Sequence, residues 1–197
     1  MKVNGAKVGL VVVLAVALAA TGCSAEWISV ALADLPVLTQ MALNIGTVVS
    51  TLESGQQISA ADAAAIQKIS AQASADLNLL ASLYNQYKAA PSATLLEQIQ
   101  AAIADINQNL PALLQAAHIE NAALSARIAA AVNLIVTTVD SFAQLIPQSS
   151  GAAAAQVSAQ KTALPRAAEL KKQWNEQICG ASGDAGLDGA VGVCGVK

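Results

Sequence analysis

Apolar residues recur every three or four positions along most of the chain, and this spacing constrains the fold more than any other feature of the sequence. Side chains three or four residues apart lie on the same side of an α-helix, so the spacing gives a helix one apolar face. In the clearest segment the steps are three, four, three, four and three, through Leu96, Ile99, Ile103, Ile106, Leu110 and Leu113. Such steps indicate a helix packed against partner helices at shallow angles.

Three further long segments carry the same pattern. Their apolar positions are Ile28, Leu32, Leu35, Leu38, Ala42, Ile45, Val49 and Leu52; Ile66, Ile69, Ala73, Leu77, Leu80, Tyr84 and Tyr87; and Leu124, Ile128, Ala131, Ile135, Val139, Phe142 and Leu145. A shorter segment, 166–178, places Leu170, Trp174 and Ile178 four residues apart, with Trp174 as its predicted core anchor. We therefore predict an all-α, up-and-down bundle of about four long helices plus a short C-terminal helix.

Capping residues and prolines predict where these helices begin and where they are disturbed. Ser59 stands three residues before Asp62, a looser version of the capping box that uses Glu or Gln. The third long helix is expected to begin near Ser92. Pro36 and Pro111 interrupt apolar segments, and we expect each to kink its helix or to restart it at its first turn.

Composition and charge exclude several classes of protein. The chain is 55% apolar and only 12% charged, which excludes intrinsic disorder. Its net charge is −3, and its one basic cluster is Lys171-Lys172, so we expect no nucleic-acid partner.

The N-terminal segment has the pattern of a secretion signal. Lys2 and Lys7 provide a positive start, and the apolar run 8–20 follows directly. The uncharged stretch 8–25 is at the low end of the roughly 20 residues that span a bilayer. The sequence therefore favours processing over permanent anchoring by this helix.

The motif Ala20-Thr21-Gly22-Cys23 resembles the lipobox of bacterial lipoproteins, a short run ending in Gly-Cys directly after the secretory core. The resemblance covers residues 1–23 and implies a diacylglycerol on the Cys23 sulfur, cleavage after Gly22 and acylation of the new amino group. Ala20 stands where Leu is commonest in that motif. The alternative is an ordinary signal peptide cut after Ala17-Leu18-Ala19.

If the resemblance holds, the chain divides into a signal peptide 1–22, a helical bundle 23–178 and a Gly-rich C-terminal loop 179–197. Ser24 after the cysteine implies a place in the bacterial cell envelope, at the outer membrane facing the periplasm. The expected partners are the membrane, through lipid on Cys23, and an envelope protein, with the oligomeric state left open. Trp27 then has two interpretations: a ring in the headgroup layer or the start of the core.

The C-terminal segment combines two cysteines with regularly spaced glycines. Because Cys23 is either lipidated or a lone thiol near the mature N-terminus, Cys179 and Cys194 remain as a pair, and in an oxidising compartment we predict that they are bonded. Two cysteines far from the single histidine give no zinc spacing, so no metal site is expected. Glycine stands at every third position from 180 to 195, which favours a disulfide-closed loop over a collagen-like triple helix because no proline is present. The segment 148–161 is expected to be a loop with room for one short helix.

No set of residues has the spacing of a catalytic site, so we expect no enzyme and no cofactor. Ser125, His118 and Glu120 can be combined on paper, but a helix-end or surface role for the histidine is favoured. The acidic residues are expected on polar faces, where they serve solubility. These are Glu97, Asp105, Asp62 and Asp76.

Three functions remain after these exclusions. The first is a membrane-anchored envelope lipoprotein whose bundle is a non-catalytic scaffold or interaction module. The second is a binding module that encloses an acyl chain or another apolar ligand within the bundle. The third is a membrane-active protein that inserts segment 128–139 or segment 35–52 into a bilayer. It ranks last because segment 128–139 is too short to span the bilayer and segment 35–52 carries several polar side chains.

Overall fold

The fold is seen in a computed structural model that describes residues 5–146, 166–181, 183, 185–191 and 194–196, with side chains from residue 27 onward. Within these ranges the chain forms six α-helices and no strand. The helices are α1 (Gly5–Ser54), α2 (Ala60–Ala89), α3 (Ala93–Ala116), α4 (Ala122–Leu145), α5 (Ala167–Gln177) and α6 (Ala185–Val191).

The four long helices run alternately up and down, and each packs against the next one along the chain. Helix α1 lies at the centre of the packing, because it contacts α2, α4, α5 and α6. Helix α5 packs against α1 and α4. The predicted all-α bundle of four long helices with a short C-terminal helix is thus confirmed.

The predicted apolar faces form one continuous core. Almost every position named from the spacing is buried, including Ile45, Leu80, Ile106 and Val139. Four predicted positions lie at the margin of the core and are only partly buried, namely Leu32, Tyr87, Leu96 and Leu113. The three-and-four spacing therefore identified the buried side of each helix.

The helix starts follow the capping residues. The side-chain oxygens of Ser59, Ser92 and Asn121 each accept a hydrogen bond from the backbone N–H three residues ahead, at 3.1, 3.2 and 2.9 Å. Each bond satisfies one of the N–H groups that the first turn of a helix leaves without an intrahelical acceptor. The predicted starts at Ser59 and Ser92 are confirmed.

The prolines do not restart the helices. Pro36 lies inside α1 and Pro111 lies inside α3, and both helices continue through them. Pro36 is exposed and Pro111 is half-buried, so water can hydrate the carbonyls that lose their hydrogen-bond donors there.

Helix α1 ends in a turn whose left-handed residue is not glycine. Gln57 N–H donates to Leu52 O and Gln56 N–H to Glu53 O, both at 2.9 Å, which is the hydrogen-bond pattern of a Schellman motif. Gln56 has φ +54°, the conformation that glycine adopts at least cost. Gly55, which stands one position earlier, still bonds to Thr51 O as part of the last turn.

The C-terminal segment is not entirely a loop, which corrects the prediction for 179–197. Helix α6 spans Ala185–Val191 and includes Gly186 and Gly189. Leu187 and Ala190, three residues apart, are buried against the bundle, and this burial outweighs the cost of about 1 kcal/mol that each glycine imposes on a helix. The predicted loop 148–161 and the side chain of Cys23 lie outside the described residues.

Candidate functional site

The proposed lipid-attachment residue lies on α1, one helical turn before the core begins. The backbone of α1 is helical from Gly5 through Cys23 to Ser54. Trp27 is only 1% exposed. The centroid of its ring lies 5.5 Å from the ring centroid of Tyr84 and 6.0 Å from that of Tyr87. Of the two interpretations of Trp27, the structure supports the start of the core.

The aromatic cluster around Trp27 contains polar atoms without partners. Trp27 Nε1 and the Tyr84 hydroxyl are buried and make no hydrogen bond within the part of the chain that the structure describes. Burial accordingly raises the pKa of Tyr84 above its usual value of 10.0. The Tyr84 ring also packs edge-to-face against the Phe142 ring, with the ring centroids 6.4 Å apart. The cluster therefore joins α1, α2 and α4 at one end of the bundle.

The two C-terminal cysteines lie at disulfide distance, as the sequence predicts. Their sulfur atoms are 2.11 Å apart and their Cα atoms 5.8 Å apart. Cys194 is 1% exposed, and its carbonyl oxygen accepts hydrogen bonds from Asn44 Nδ2 at 2.9 Å and from Trp174 Nε1 at 3.1 Å. The segment after α6 is therefore fixed onto α1 and α5 as well as to Cys179. Trp174 is fully buried, which confirms it as a core anchor.

A buried arginine ties the C-terminal segment to α4. Arg127 is 8% exposed, and its guanidinium donates to the backbone oxygens of Ile178 at 2.8 Å and Gly180 at 2.6 Å and to Asp188 Oδ1 at 3.1 Å. A buried cation requires such acceptors, because an unpaired charge in the interior is strongly destabilising. Arg127 was not predicted from the sequence, because its partners lie 51 to 61 positions later in the chain.

A buried carboxyl group lies between α1 and α5. Asp34 is 3% exposed, and burial raises its pKa from 3.8 to about 6, while a hydrogen bond from the backbone N–H of Ala167 acts in the opposite direction. Ala167 is the first residue of α5, and the N-cap residue Arg166 offers no side-chain hydrogen bond there. Asp34 lies on α1, yet its carboxyl group is the hydrogen-bond acceptor for the first N–H of α5. Asp34 was not predicted from the sequence as a functional group.

The acidic residues differ from the sequence expectation at one position. Asp62 is buried at the start of α2, which corrects its placement on a polar face, because a carboxylate is favourable near helix N-termini. Glu97 and Asp105 are exposed as expected. The pKa of Asp76 is raised, mainly by burial and further by the charge of Asp105, while a hydrogen bond from Gln72 opposes the rise.

The residues of the hypothetical catalytic set are not assembled into a site. His118 is exposed in the turn after α3 and has φ +43°. It makes no hydrogen bond to Ser125 or Glu120 in the part of the chain that the structure describes. Among the same residues, no group of three or more His, Cys, Asp or Glu side chains is placed to hold a metal ion.

The cavities differ in position and size. An interior void of about 10 Å³ between α1, α4 and α5 has room for about one water molecule. A pocket of about 240 Å³ lies at the end of the bundle formed by the α1–α2 turn, the start of α4 and α6; it is lined by Leu52, Gln57, Ile58, Asn121, Leu124, Gly186 and Leu187. An open groove of about 470 Å³ runs between α1 and α2 beside the exposed Leu43.

Two helical segments, Trp27–Ser54 and Ala122–Leu145, are long and apolar enough to cross a membrane by length and composition. Half of the most apolar window of each is buried within the bundle, as in the core helices of water-soluble proteins. Length and composition therefore argue only weakly for insertion.

Comparisons with known proteins give no further assignment. No protein-family model, no curated protein and no solved structure matches the chain.

Proposed function

We propose that this protein is an envelope lipoprotein, anchored through lipid on Cys23, whose helical bundle is a non-catalytic scaffold or interaction module. The observation that carries the proposal is the short distance between the lipobox-like motif and the core. Only one helical turn, a rise of about 6 Å, separates Cys23 from the buried Trp27. Lipid at this position would hold the bundle close to the membrane without a flexible tether.

The charge of the processed chain agrees with anchoring by lipid. Removal of residues 1–22 takes away Lys2 and Lys7, so eight basic residues remain against thirteen acidic ones, a net charge of −5. An acidic surface is not attracted to anionic headgroups. The two or three acyl chains of a lipoprotein supply the binding instead, at about 0.8 kcal/mol for each buried methylene.

The scaffold role is supported by the closed core and by the way the C-terminal segment is fixed. The disulfide-distance pair, Arg127 and Asn44 hold the end of the chain at several points. Such cross-links produce a rigid body, which suits a protein that presents a surface to a partner. The acyl-binding alternative requires the helices to separate, because the void between α1, α4 and α5 is of single-water size.

The anchor is tested by intact-mass analysis of protein from native membranes. We expect a mass equal to residues 23–197 plus acyl groups, with two protons missing for one disulfide. The Cys23→Ser variant should keep residues 1–22, because acylation normally precedes cleavage in this class. A wild-type mass that retains residues 1–22, or that begins after Ala19 without lipid, would refute the anchor.

The interaction role is tested separately by crosslinking in intact cells. Single exposed positions far from the core, such as Gln56 and Lys88, would carry a photoreactive group at the two ends of the bundle. We expect reproducible crosslinks to one envelope protein from one end. Crosslinks to lipid alone from both positions would count against an interaction module.

A further inference from the structure

Three buried hydrogen-bond donors line the interior void between α1, α4 and α5. They are the side chains of Asn44 on α1, Arg127 on α4 and Trp174 on α5. Apolar side chains form most of the remaining wall, namely Ile45, Val48, Leu124, Ile128 and Ile178. A cation and two polar N–H groups in such surroundings need acceptors, because an unsatisfied donor in the interior is destabilising.

The C-terminal end of the chain supplies acceptors to all three donors. The backbone oxygen of Cys194 accepts from Asn44 Nδ2 at 2.9 Å and from Trp174 Nε1 at 3.1 Å. The carboxylate of Asp188 accepts from Arg127 Nη2 at 3.1 Å. One carbonyl oxygen and one carboxylate of the chain itself therefore satisfy a site built of a guanidinium, an amide and an indole.

The element that carries these two acceptors is short. We call it the C-terminal plug, and it consists of α6 (Ala185–Val191) and residues 194–196. Its side chains Leu187 and Ala190 are buried against the bundle, and α6 packs on α1. Glycines within α6 lower its helix propensity, so this packing and the hydrogen bonds hold it in place.

The Cys179–Cys194 pair joins the C-terminal plug covalently to the end of α5. Cys194 is buried whereas Cys179 is only partly buried, so a reductant reaches the Cys179 sulfur more easily. A dithiol reductant would be oxidised to its own disulfide while two electrons and two protons convert the pair into two thiols. After that reaction only noncovalent contacts hold the plug.

Departure of the C-terminal plug would leave an anion site that is already organised. Arg127 keeps its hydrogen bonds to the backbone oxygens of Ile178 and Gly180, at 2.8 and 2.6 Å, because both residues precede the plug in the chain. These bonds orient the guanidinium while its charge loses the carboxylate of Asp188. The amide and the indole lose their shared carbonyl acceptor at the same time.

We propose that this cleft binds the carboxylate of a single-chain amphiphile, a fatty acid, in place of the C-terminal plug. The two carboxylate oxygens accept from the three donors that Asp188 and Cys194 satisfy in the closed state. The acyl chain lies along α1, where Ile45, Val48 and Leu52 share one face over a rise of about 10 Å. The helix that separates is the short α6, while the four long helices stay packed. The inference goes beyond the scaffold role and does not depend on the N-terminal lipid.

The donor set selects the head group of the ligand. All three groups donate through N–H, so a cationic head group would offer them no acceptor and would be repelled by Arg127. A hydroxyl head group supplies an oxygen but no charge, and the guanidinium would stay without a counter-ion in an apolar cleft. A carboxylate supplies both the charge and two acceptor atoms.

The test follows the two tryptophan indole N–H signals by NMR, using the full chain in phosphatidylcholine nanodiscs. Trp174 reports on the cleft, and Trp27 in the aromatic cluster is the internal reference. The probe is decanoate at pH 7.5, added with and without dithiothreitol. We expect a saturable shift of the Trp174 signal after reduction, no shift of it before reduction, and no shift of the Trp27 signal in either state.

Two comparisons identify the head group and the lock. Decanol should bind to the reduced protein about tenfold more weakly than decanoate, and decyltrimethylammonium should leave the Trp174 signal unshifted. Cys179→Ser combined with Cys194→Ser should bind decanoate without dithiothreitol, at the affinity of the reduced wild type. That result would assign the control to the bond between the cysteines and not to another effect of the reductant.

Two substitutions in the double-serine protein should change the affinity in opposite directions. Arg127→Met should weaken decanoate binding about tenfold, and Asp188→Asn should strengthen it about fivefold because the plug loses the carboxylate that competes with the ligand. The matched control is Lys88→Met, which removes one exposed positive charge and should leave the affinity unchanged. Circular dichroism checks that each variant folds, and Asp188→Asn decides the question if Arg127→Met does not.

Several results would overturn the proposal. They are equal decanoate shifts before and after reduction, equal affinities for decanoate and decanol, shifts shared by both tryptophans, weaker binding in Asp188→Asn, and no saturable binding to the double-serine protein. None of these measurements uses the mass of the processed chain or crosslinks to a partner. A failed anchor or scaffold role is therefore distinguishable from a failed fatty-acid site.

Discussion

The buried carboxyl group of Asp34 makes the stability of the bundle depend on pH in a way that one substitution removes. Burial raises the pKa of Asp34 from 3.8 to about 6, so the folded state holds the proton more tightly than the unfolded chain. This group therefore favours folding most below pH 4, and the advantage disappears as the pH rises through about 6. Above that range the folded protein contains a buried carboxylate.

The size of the effect follows from the change in pKa. Each pKa unit corresponds to about 1.4 kcal/mol, so a rise from 3.8 to about 6 corresponds to about 3 kcal/mol of stability lost between pH 4 and pH 7. The Asp34→Asn variant keeps an oxygen that can accept from Ala167 N–H but carries no charge. We expect it to be more stable than wild type at pH 7.5 by about 1–3 kcal/mol, the lower value allowing for a weaker hydrogen bond.

The assay is urea denaturation followed by circular dichroism at pH 4, 5, 6 and 7.5. Wild type and Asp34→Asn should have similar free energies of unfolding at pH 4, and the difference should open between pH 4 and pH 7. Glu97→Gln is the control, because Glu97 is exposed and its substitution should leave the pH profile unchanged. The reasoning is refuted if Asp34→Asn is the less stable protein at pH 7.5 and has the same pH profile as wild type.

Five other variants, at four sites, test separate parts of the structure by the same denaturation assay. Cys179→Ser with Cys194→Ser should lower stability by about 3 kcal/mol, the chain-entropy value for a loop of about 15 residues; unchanged stability under oxidising conditions would show that the pair is not bonded. Arg127→Met should lower the free energy of unfolding by about 3 kcal/mol, because Asp188 and two backbone oxygens lose their donor. Arg127→Lys should be intermediate in stability, because one ammonium group cannot replace the several directed N–H donors of the guanidinium; wild-type stability in the lysine variant would contradict this reasoning. Gln56→Gly should add about 1 kcal/mol by relieving the left-handed backbone, and a loss of stability would count against the φ of +54°. Tyr84→Phe should be neutral or stabilising, since it removes a buried hydroxyl without a partner, and a loss of more than about 1 kcal/mol would reveal a partner for that hydroxyl.

Local spacing was sufficient to predict the helices and their buried faces. The apolar face of α4 from Leu124 to Leu145 is buried at every named position. The starts at Ser59 and Ser92 followed from the preference of hydroxyl side chains for helix N-caps. These features depend on residues close together in the chain, which is why a single sequence reveals them.

Contacts between distant residues were harder to predict. Asp34 reaches the start of α5 more than 130 positions later, and Arg127 donates hydrogen bonds to backbone oxygens that follow α5. Nothing in the local pattern says which polar residue on a helix will find a partner elsewhere. Helix α6 was missed for the same reason, since its glycines disfavour a helix and only packing against the bundle stabilises it.

The sequence by itself predicted the number of long helices, their apolar faces and, once Cys23 is set aside, the pairing of Cys179 with Cys194, because helical periodicity and the number of cysteines are properties of the chain. Tertiary structure alone decided where Arg127 and Asp34 find their partners, that Trp27 belongs to the core, and that the turns at one end enclose a pocket. The physical reason is that burial and charge pairing depend on which segments lie close together in space. The distances between such segments cannot be read from the order of residues along the chain.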